Sequence, residues 1–339
     1  MKRPVLAITM GDPAGIGPEI TAKALTDTAL YDCCRPLVIG EAEIMRRACT
    51  VIKSNALVHA ITSPVEARYE PGVIDVINMG AIDAERLVIG RASAACGAAA
   101  YRYIERAIDL AMDGLADATV TNPVCKEALH MAGCSLCAHT EIFASLTGVH
   151  SYAMMLVQDN MMISHVSTHV SLREACDRVK KDRILEVIEL TASAVRRIRG
   201  VGNPLIAVAG LNPHCGEGGM FGTEEEREIM PALEAAAARG YAVSGPIPPD
   251  TLFSKLRGGW YDAAVAMYHD QGHIPMKVLG FCFDKENQCW SNVSGVNITL
   301  GLPIVRTSVD HGTAFDQAWK GGAREDSLKN AIMYATSLA

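Results

Sequence analysis

The sequence predicts an α/β protein with a largely parallel sheet, because short apolar strands alternate with helices along the chain. Residues 5–9 and 36–40 have the apolar composition of buried strands, and helices predicted at 20–25 and 41–49 follow them. With 339 residues, the chain is long enough for two domains or for one large domain.

The composition is that of a globular enzyme, with 49% hydrophobic and 20% charged residues. A net charge of -7 argues against a nucleic-acid surface, and no apolar run reaches the roughly 18 residues of a membrane span. The first apolar run is too short for the core of a signal peptide. The 11 cysteines are odd in number and dispersed, as expected for reduced thiols. We therefore expect a cytoplasmic protein that binds neither membranes nor nucleic acid.

Residues 10–19, Met-Gly-Asp-Pro-Ala-Gly-Ile-Gly-Pro-Glu, form a glycine-rich turn between the first strand and the first helix. Pro18 fits the first helical turn, where its missing N–H costs nothing. The free amides of such a turn suit an anion, but the spacing matches neither the dinucleotide nor the nucleotide fingerprint. A tight structural turn without a ligand is the alternative.

The alternation continues with a strand at 73–77, a long alanine-rich helix at 92–112 and a strand that begins at Ala118 and ends in a loop at Pro123. A short helix carrying Lys126 follows.

Residues 133–141 hold two features. Cys134 and Cys137 have the spacing of a redox pair or half a zinc site, but no second such pair completes a zinc cage, so plain loop thiols are preferred. Thr140 is placed to cap a helix over 141–146, and the first amides of that helix suit a phosphate.

Further elements follow in order. Residues 152–157 and 161–166 are predicted to form a β-hairpin, 184–198 a helix and 204–210 a buried strand. Residues 223–226 carry a capping-box pattern at the start of another helix. Asp250 either caps a short helix or faces a cavity.

The stretch from His269 to Lys277 concentrates two imidazoles, a carboxylate and an amine directly after a predicted strand. Ligands of open α/β sheets bind at the C-terminal ends of strands. We therefore interpret His269 as one ligand of a divalent metal, with Asp270 facing the same cavity and Lys277 holding an anion. A solvated turn is the alternative.

His169 and His214 also follow predicted strands or strand-like runs. Neutral imidazoles on different loops of one sheet edge can converge on a transition metal such as zinc. By contrast, His165 lies within its strand and is expected to be a packed or solvated side chain.

After this stretch, residues 281–294 are polar and irregular and are interpreted as an insertion or flap. Two short strands at 296–300 and 303–306, a loop at 308–316 and a last helix at 327–336 complete the chain.

Six long motifs resemble those of the 4-hydroxythreonine-4-phosphate dehydrogenase family, in the right order and across essentially the whole chain. In the numbering of this sequence, they are residues 9–19, 138–141, 210–219, 267–272, 295–303 and 306–313.

The resemblance implies a two-domain α/β/α fold like that of isocitrate and isopropylmalate dehydrogenases, not a Rossmann fold. Residues 1–135 and 300–339 would form the NAD-side domain, and 136–299 the domain with the metal, the substrate and the dimer interface. It also implies a homodimer whose active site is shared across the interface.

The resemblance assigns roles by motif. The metal ligands would be His169, His214 and His269, one of them supplied by the partner subunit. Substrate contacts would be His139, Thr140, Lys277, Asn297 and Arg306. Lys277, Asp270 and Asp250 would have catalytic roles near the substrate. NAD would bind to the loop with His311, Gly312, Thr313 and Asp316.

The implied reaction is NAD-dependent oxidation of 4-phosphooxy-L-threonine at carbon 3, followed by decarboxylation to 3-amino-2-oxopropyl phosphate, in pyridoxal-phosphate biosynthesis. NADP is the alternative cofactor. Zinc is the expected metal, with magnesium, manganese and cobalt as alternatives. Lys277 and Arg306 suit the phosphate, since a dianion needs fixed cations and donors.

Two departures from the family pattern leave a second substrate class open. Residues 281–294 are longer than expected, and His273 stands where an apolar residue is expected. The family includes relatives that oxidise 4-phospho-D-threonate or 4-phospho-D-erythronate, with a hydroxyl in place of the amine. Asp250 and Asp270 suit an ammonium, so the amino acid comes first and the hydroxy acid second.

Two functions of other classes compete with the dehydrogenase. A non-catalytic metal- or phosphate-binding protein would lack a histidine ligand or the NAD loop, and this chain has both. A metal-dependent hydrolase would have no use for the loop from His311 to Asp316, and NAD reduction on adding substrate separates the two.

Overall fold

The structure is a computed structural model that describes residues 3–136, 138–286 and 289–339. It confirms the predicted α/β class. The strands, in chain order, are β1 (Val5–Thr9), β2 (Arg35–Gly40), β3 (Leu57–Ile61), β4 (Val73–Asn78), β5 (Ala118–Thr121), β6 (Ala153–Gln158), β7 (Met161–His165), β8 (Ile206–Ala209), β9 (Val243–Ile247), β10 (Ala263–Ala266), β11 (Phe281–Asp284), β12 (Cys289–Val293), β13 (Val296–Leu300) and β14 (Val305–Val309).

The α-helices occupy most of the segments between these strands. In chain order, they are α1 (Gly17–Ala24), α2 (Ala29–Cys33), α3 (Ala42–Val51), α4 (Ala94–Met112), α5 (Lys126–Met131), α6 (His139–Thr147), α7 (Leu172–Asp177), α8 (Lys181–Arg199), α9 (Met230–Ala238), α10 (Pro249–Arg257), α11 (His269–Gly280) and α12 (Asp326–Leu338).

Contacts divide the chain into two compact units, Met1–His150 with Leu302–Ala339 and Ser151–Gly301. In the first unit the strand order is β3-β4-β2-β1-β5-β14, and every neighbouring pair is parallel. Strands of such a sheet are buried on both faces, which explains why Val5–Thr9 is fully buried and apolar in its first four residues. Helices α4 and α12 pack against β1, β5 and β14.

The second unit has the strand order β13-β6-β7-β10-β8-β9. The predicted hairpin is confirmed, because β6 and β7 pair antiparallel. From β7 onward the sheet is parallel, so the C-terminal ends of β7, β10 and β8 lie at one edge. Helices α8 and α11 pack on these strands.

Three helix caps that the sequence suggested are absent. Helix α6 begins at His139 with Ala138 in the capping position and no side-chain cap, so Thr140 does not cap it. The predicted capping box at 223–226 is also wrong: a π-helical turn, Glu225–Ile229, precedes α9, and no side chain caps it. Asp250 does not cap α10 either, since it lies exposed in the first turn of that helix.

Other predictions stay open. Cys137 lies outside the described residues, so the Cys134–Cys137 pair is untested. Within 281–294, the backbones of β11 and β12 pair antiparallel, and the role of this segment stays a prediction. The same holds for the roles assigned to the two predicted domains. In the described part of the chain, no helix has both the length and the apolar character that a membrane span needs.

Candidate functional site

The three histidines predicted to bind metal follow three neighbouring strands of the second unit. His169 comes after β7, His269 after β10 and His214 after β8, each within five residues of the strand end. These strands are parallel and adjacent in the order β7-β10-β8. The three loops therefore start from the same edge of the sheet, where α/β proteins bind ligands.

Side chains tie the bases of these loops together. The Ser167 hydroxyl donates to the Met267 carbonyl at 3.1 Å. The Gln271 amide accepts from the Met267 N–H at 2.6 Å and donates to the Gly210 carbonyl at 2.8 Å. These bonds connect the ends of β7, β10 and β8, so the loop bases are held at fixed positions.

His169 and His269 face a common space. Their ring centroids are 5.8 Å apart, and both line a cavity of about 500 Å³ together with Thr168, Ser171 and Asp270. Two imidazoles that share one tetrahedral ion, with metal–nitrogen distances near 2.1 Å, have centroids about 5 Å apart. The pair therefore fits a shared transition-metal ion.

The third histidine is not brought to this pair. His214 is exposed, and among the residues that the structure describes, no group of three or more His, Cys, Asp and Glu side chains is arranged to hold a metal. His214 lies in the turn Pro213–Gly216 with a left-handed φ of 53°, so its loop is sharply folded.

A buried carboxylate organises the His214 loop. Oε1 of Glu225, a residue only 3% exposed, accepts hydrogen bonds from the Leu211 N–H at 2.8 Å and the Asn212 N–H at 2.7 Å. Its other oxygen accepts from the Asn212 amide at 2.9 Å. Side chains on Gly210 or Gly216 would lie within about 3 Å of Glu225 or its neighbours, which explains the glycines in this motif.

His269 has a carboxylate partner. Its Nδ1 lies 2.7 Å from Oδ1 of Asp270, and because a carboxylate only accepts, Nδ1 carries the proton. The Nε2 lone pair is then free of a proton and suits a metal. This carboxylate–histidine arrangement commonly orients metal ligands.

Two further histidines stand behind His269. The His273 ring is stacked on the His269 ring, and the His165 ring lies beside His273. Burial is the main cause that lowers the pKa of His273 to about 4 and that of His165 to about 3. Both rings are therefore neutral at pH 7. Of the two alternatives predicted for His165, a packed or a solvated side chain, the structure shows the packed one.

The remaining predicted residues of this unit are spread over three elements. Asp250 lies in the first turn of α10, Lys277 lies half-buried on α11, and Asn297 lies on β13 opposite Leu156 of β6. The Asn297 Oδ1 is buried and has no hydrogen-bond partner within the described residues. Such an atom has unmet capacity for a donor on a ligand.

In the first unit, the glycine-rich turn lies at the C-terminal edge of β1 and β5. Side chains on Gly11 or Gly17 would lie 2.6 Å from the Pro123 carbonyl oxygen or 2.2 Å from the Met10 carbonyl oxygen. Only glycine allows this close approach. The turn is tight for steric reasons, so its glycines do not by themselves demonstrate an anion site.

Two buried side-chain oxygens, one within this turn and one beside it, were not singled out from the sequence. Oδ2 of Asp12 and Oδ1 of Asn122 have no hydrogen-bond partner in the described part of the chain. Burial raises the pKa of Asp12 to about 6, against the effect of the Ala14 N–H that donates to it. Asn122 directly follows a buried strand, and this position at a strand end is the sequence feature that could have marked it as a site residue.

Arg306 is a buried positive charge at the same edge, and His139 lies near it. Arg306 is 2% exposed, donates from Nη2 to the Thr121 hydroxyl at 2.8 Å, and lies over the Phe143 ring. Burial lowers its pKa to about 9, so it stays charged at pH 7.

His139 is kept neutral by this environment. Burial, then the charge of Arg306, hold its pKa well below the usual value, opposed by a hydrogen bond with the backbone of Asn122. Its buried Nε2 has no partner among the described residues. The ring therefore offers one unused nitrogen to a ligand, beside a fixed cation.

The predicted NAD loop follows β14 in this unit. His311 donates from Nδ1 to the Gly312 carbonyl at 3.1 Å, and Asp316 accepts from the Gln317 amide at 2.9 Å. The Thr313 carbonyl accepts from the Ile16 N–H at 3.1 Å, so this loop packs on the glycine-rich turn. Because β1, β5 and β14 are parallel, the glycine-rich turn, Asn122 and the predicted NAD loop lie at the same edge of the sheet.

Comparisons with known proteins agree on one family. The family model described as pyridoxal phosphate biosynthetic protein PdxA matches residues 32–335. The chain is 47% identical to D-threonate 4-phosphate dehydrogenase of Cupriavidus necator over 99% of this chain and 97% of that protein. It is 45% identical to 4-hydroxythreonine-4-phosphate dehydrogenase of Desulforapulum autotrophicum, covering 98% and 95% of the two chains.

A solved structure extends the comparison to the fold. The crystal structure of 4-hydroxythreonine-4-phosphate dehydrogenase from Klebsiella pneumoniae has a TM-score of 0.87 and 44% identity, covering 99% of this chain and 98% of that chain.

Proposed function

This chain belongs to the PdxA family of dehydrogenases, oxidoreductases that act on a CH–OH group, and from that premise we propose that it oxidises the carbon-3 alcohol of a phosphorylated four-carbon acid with NAD. The resulting β-keto acid then loses its carboxylate as carbon dioxide. The two relatives named above are dehydrogenases of four-carbon phosphates, which supports this substrate class.

The observation that carries the proposal is the shared cavity of His169 and His269, with Asp270 on the His269 ring. We propose His169, His214 and His269 as the residues that hold a divalent metal, with one of them supplied by the partner subunit of a homodimer. Imidazole ligands favour zinc over magnesium or manganese. A divalent ion supplies Lewis acidity, which favours ionisation of an alcohol and decarboxylation of a β-keto acid.

The chain's own residues bind and orient the substrate. The proposed substrate contacts are His139, Thr140, Lys277, Asn297 and Arg306. Arg306 and Lys277 supply the positive charge that a phosphate dianion needs. Asn297 has a buried oxygen ready to accept from a substrate hydroxyl or amine. Lys277 and Asp250 are the proposed groups for proton transfer.

We propose that NAD binds to the loop with His311, Gly312, Thr313 and Asp316. Its support is the position at the C-terminal end of β14, on the same edge as the glycine-rich turn. Hydride chemistry belongs to the nicotinamide, and the protein positions it.

We place the hydroxy acid 4-phospho-D-threonate first as substrate, and 4-phosphooxy-L-threonine second. Its support is that several relatives of 45–47% identity are named D-threonate 4-phosphate dehydrogenase, and that one oxygen of Asp270 is already engaged by His269. The exposed Asp250 is the specific feature that favours the amino acid. Oxidation and decarboxylation would yield dihydroxyacetone phosphate from the hydroxy acid and 3-amino-2-oxopropyl phosphate from the amino acid.

The test is NAD reduction by the purified, zinc-loaded protein with 4-phospho-D-threonate, 4-phospho-D-erythronate and 4-phosphooxy-L-threonine in parallel. We expect NADH formation coupled to release of carbon dioxide, fastest with D-threonate phosphate. Release of inorganic phosphate without NADH would instead establish a hydrolase. The His214→Ala variant should lose turnover while it stays folded.

A further inference from the structure

Three imidazole rings, His165, His273 and His269, lie in a bent row that is called here the histidine column. The centroids of its two ends, His165 and His269, are 6.5 Å apart. The His165 and His273 centroids are 4.8 Å apart. The His273 and His269 centroids are 3.6 Å apart, with planes inclined by only 10°. His269 is therefore covered on one face by a flat ring at van der Waals distance.

The backbone builds this column. His269 and His273 are four residues apart on α11, so they lie on the same face of the helix. His273 donates from Nδ1 to the His269 carbonyl at 2.9 Å, which fixes the orientation of its ring.

The base of the column is His165 on β7. His165 is 1% exposed, and its Nδ1 lies 3.3 Å from the Met154 carbonyl oxygen. A side chain at Gly272 would lie 2.3 Å from Nε2 of His165. The glycine therefore lets α11 approach β7 closely enough for His273 to rest on His165.

His273 is not itself a ligand of an ion bound by His269. Imidazole lone pairs lie in the ring plane, and these two planes are nearly parallel and 3.6 Å apart. An ion in the plane of one ring is then much farther from the other ring than the roughly 2.1 Å of a metal–nitrogen bond. The stack must act on His269 rather than on the ion directly.

We propose that His273 is a positioning residue that holds the His269 ring in its metal-binding orientation. Asp270 holds the edge of that ring at Nδ1, and His273 covers its face. Rotation of the ring about its Cβ–Cγ bond is therefore opposed by both contacts. This rests on the proposed function, in which His269 binds the metal. Residues that orient metal ligands typically contribute about 10- to 100-fold to metal affinity.

The experiment measures zinc affinity on full-length, metal-stripped protein by competition with a chromophoric chelator. His273→Ala and His273→Leu remove the flat ring, and we expect each to weaken zinc binding about 10-fold or more. His273→Phe keeps a flat ring of similar size and should bind zinc within about threefold of the unmodified protein. His130→Ala, an exposed histidine on α5, is the matched control and should not change the affinity.

Two additional measurements separate positioning from a purely structural role. The thermal midpoint of each metal-free variant reports whether it is folded, and the comparison between the leucine and phenylalanine variants holds even where the alanine variant is unstable. At saturating zinc, His273→Leu should recover most of its kcat with an unchanged KM for the phosphorylated acid.

The outcomes distinguish the inference from its premise. Zinc binding that is lost in His269→Ala but unchanged in His273→Leu would overturn the positioning role and leave the proposed function intact. Zinc binding that is unchanged in His269→Ala would overturn the ligand assignment itself. Equal weakening by leucine and phenylalanine would show that the flat ring is not what His269 needs.

Discussion

The carboxylate of Asp270 accepts a hydrogen bond from Nδ1 of the adjacent His269 at 2.7 Å. The bond fixes the tautomer with its proton on Nδ1 and leaves the Nε2 lone pair for a ligand. The side chain of Asp270 is 71% exposed, so this bond acts on the orientation of His269 and contributes little to the stability of the fold.

We predict that Asp270→Asn weakens zinc binding and lowers kcat/KM by about 10- to 100-fold, with the thermal midpoint nearly unchanged. An asparagine can present an NH₂ group to Nδ1 and then favours the wrong tautomer. Chelator competition and initial rates of NAD reduction test this. Asp109→Asn, an exposed carboxylate on α4, is the control. Wild-type zinc affinity in Asp270→Asn would contradict the orienting role.

Arg306→Lys tests the proposed phosphate contact in the first unit. Lysine keeps the charge but lacks the planar fork of donors, and a hydrogen bond to a charged group contributes about 1.5–3 kcal/mol. We therefore expect KM for the phosphorylated acid, and the inhibition constant of inorganic phosphate, to rise about 10- to 100-fold. The KM for NAD should change much less.

The matched control for this variant is Arg86→Lys, because the Arg86 side chain is 89% exposed. A thermal midpoint measured on both variants separates lost binding from lost folding. If Arg306→Lys binds phosphate normally, the buried guanidinium serves Thr121 and Phe143 rather than the substrate.

The sequence predicts the strands with the clearest composition. Val5–Thr9 and Ile206–Ala209 are fully buried and, apart from Thr9, apolar, and such runs are easily recognised. The edge strand Leu57–Ile61 is missed because its buried residues, Val58 and Ile61, are three apart and do not follow the period of two that marks a half-buried strand. The five-residue helix Ala29–Cys33 is too short for a helical period.

The start of α11 shows why parts of the site could not be predicted. Gly272 and Pro275 indicate that a strand ends, yet a helix with an internal proline follows. The side chain of Gln271 supports this start by accepting from the Met267 N–H, and its second bond reaches Gly210, which is distant in sequence. The three histidine loops were predictable from strand ends, whereas the stacking of His273 on His269 depends on the helix.

Glu225→Gln tests the carboxylate that organises the His214 loop. Oε1 accepts two backbone hydrogen bonds and Oε2 accepts one from Asn212. A glutamine keeps one oxygen and places an NH₂ group against a donor, so a buried bond is lost at a cost of about 1–3 kcal/mol. We expect a lower free energy of unfolding and lower zinc affinity.

The exposed neighbour offers a matched control, because Glu226→Gln changes the same chemical group one residue along the chain. We expect urea denaturation and chelator competition to leave that variant within error of the unmodified protein. Identical behaviour of the two variants would show that the His214 loop does not depend on Glu225.

We predict that Asp12→Asn changes the pH dependence of the free energy of unfolding. Burial raises the pKa of Asp12 to about 6 in the folded protein, above the roughly 3.9 expected in the unfolded chain. Between these values the folded state binds more protons than the unfolded state, so stability falls as pH rises from about 4 to 6. A difference of about two pKa units corresponds to about 3 kcal/mol.

Asparagine keeps an oxygen for the Ala14 N–H and does not ionise. The free energy of unfolding of Asp12→Asn relative to the unmodified protein should therefore increase by about 2 kcal/mol between pH 4 and pH 7, measured by urea denaturation. The exposed control Asp109→Asn should show no such trend, and parallel pH profiles for Asp12→Asn and the unmodified protein would contradict the raised pKa.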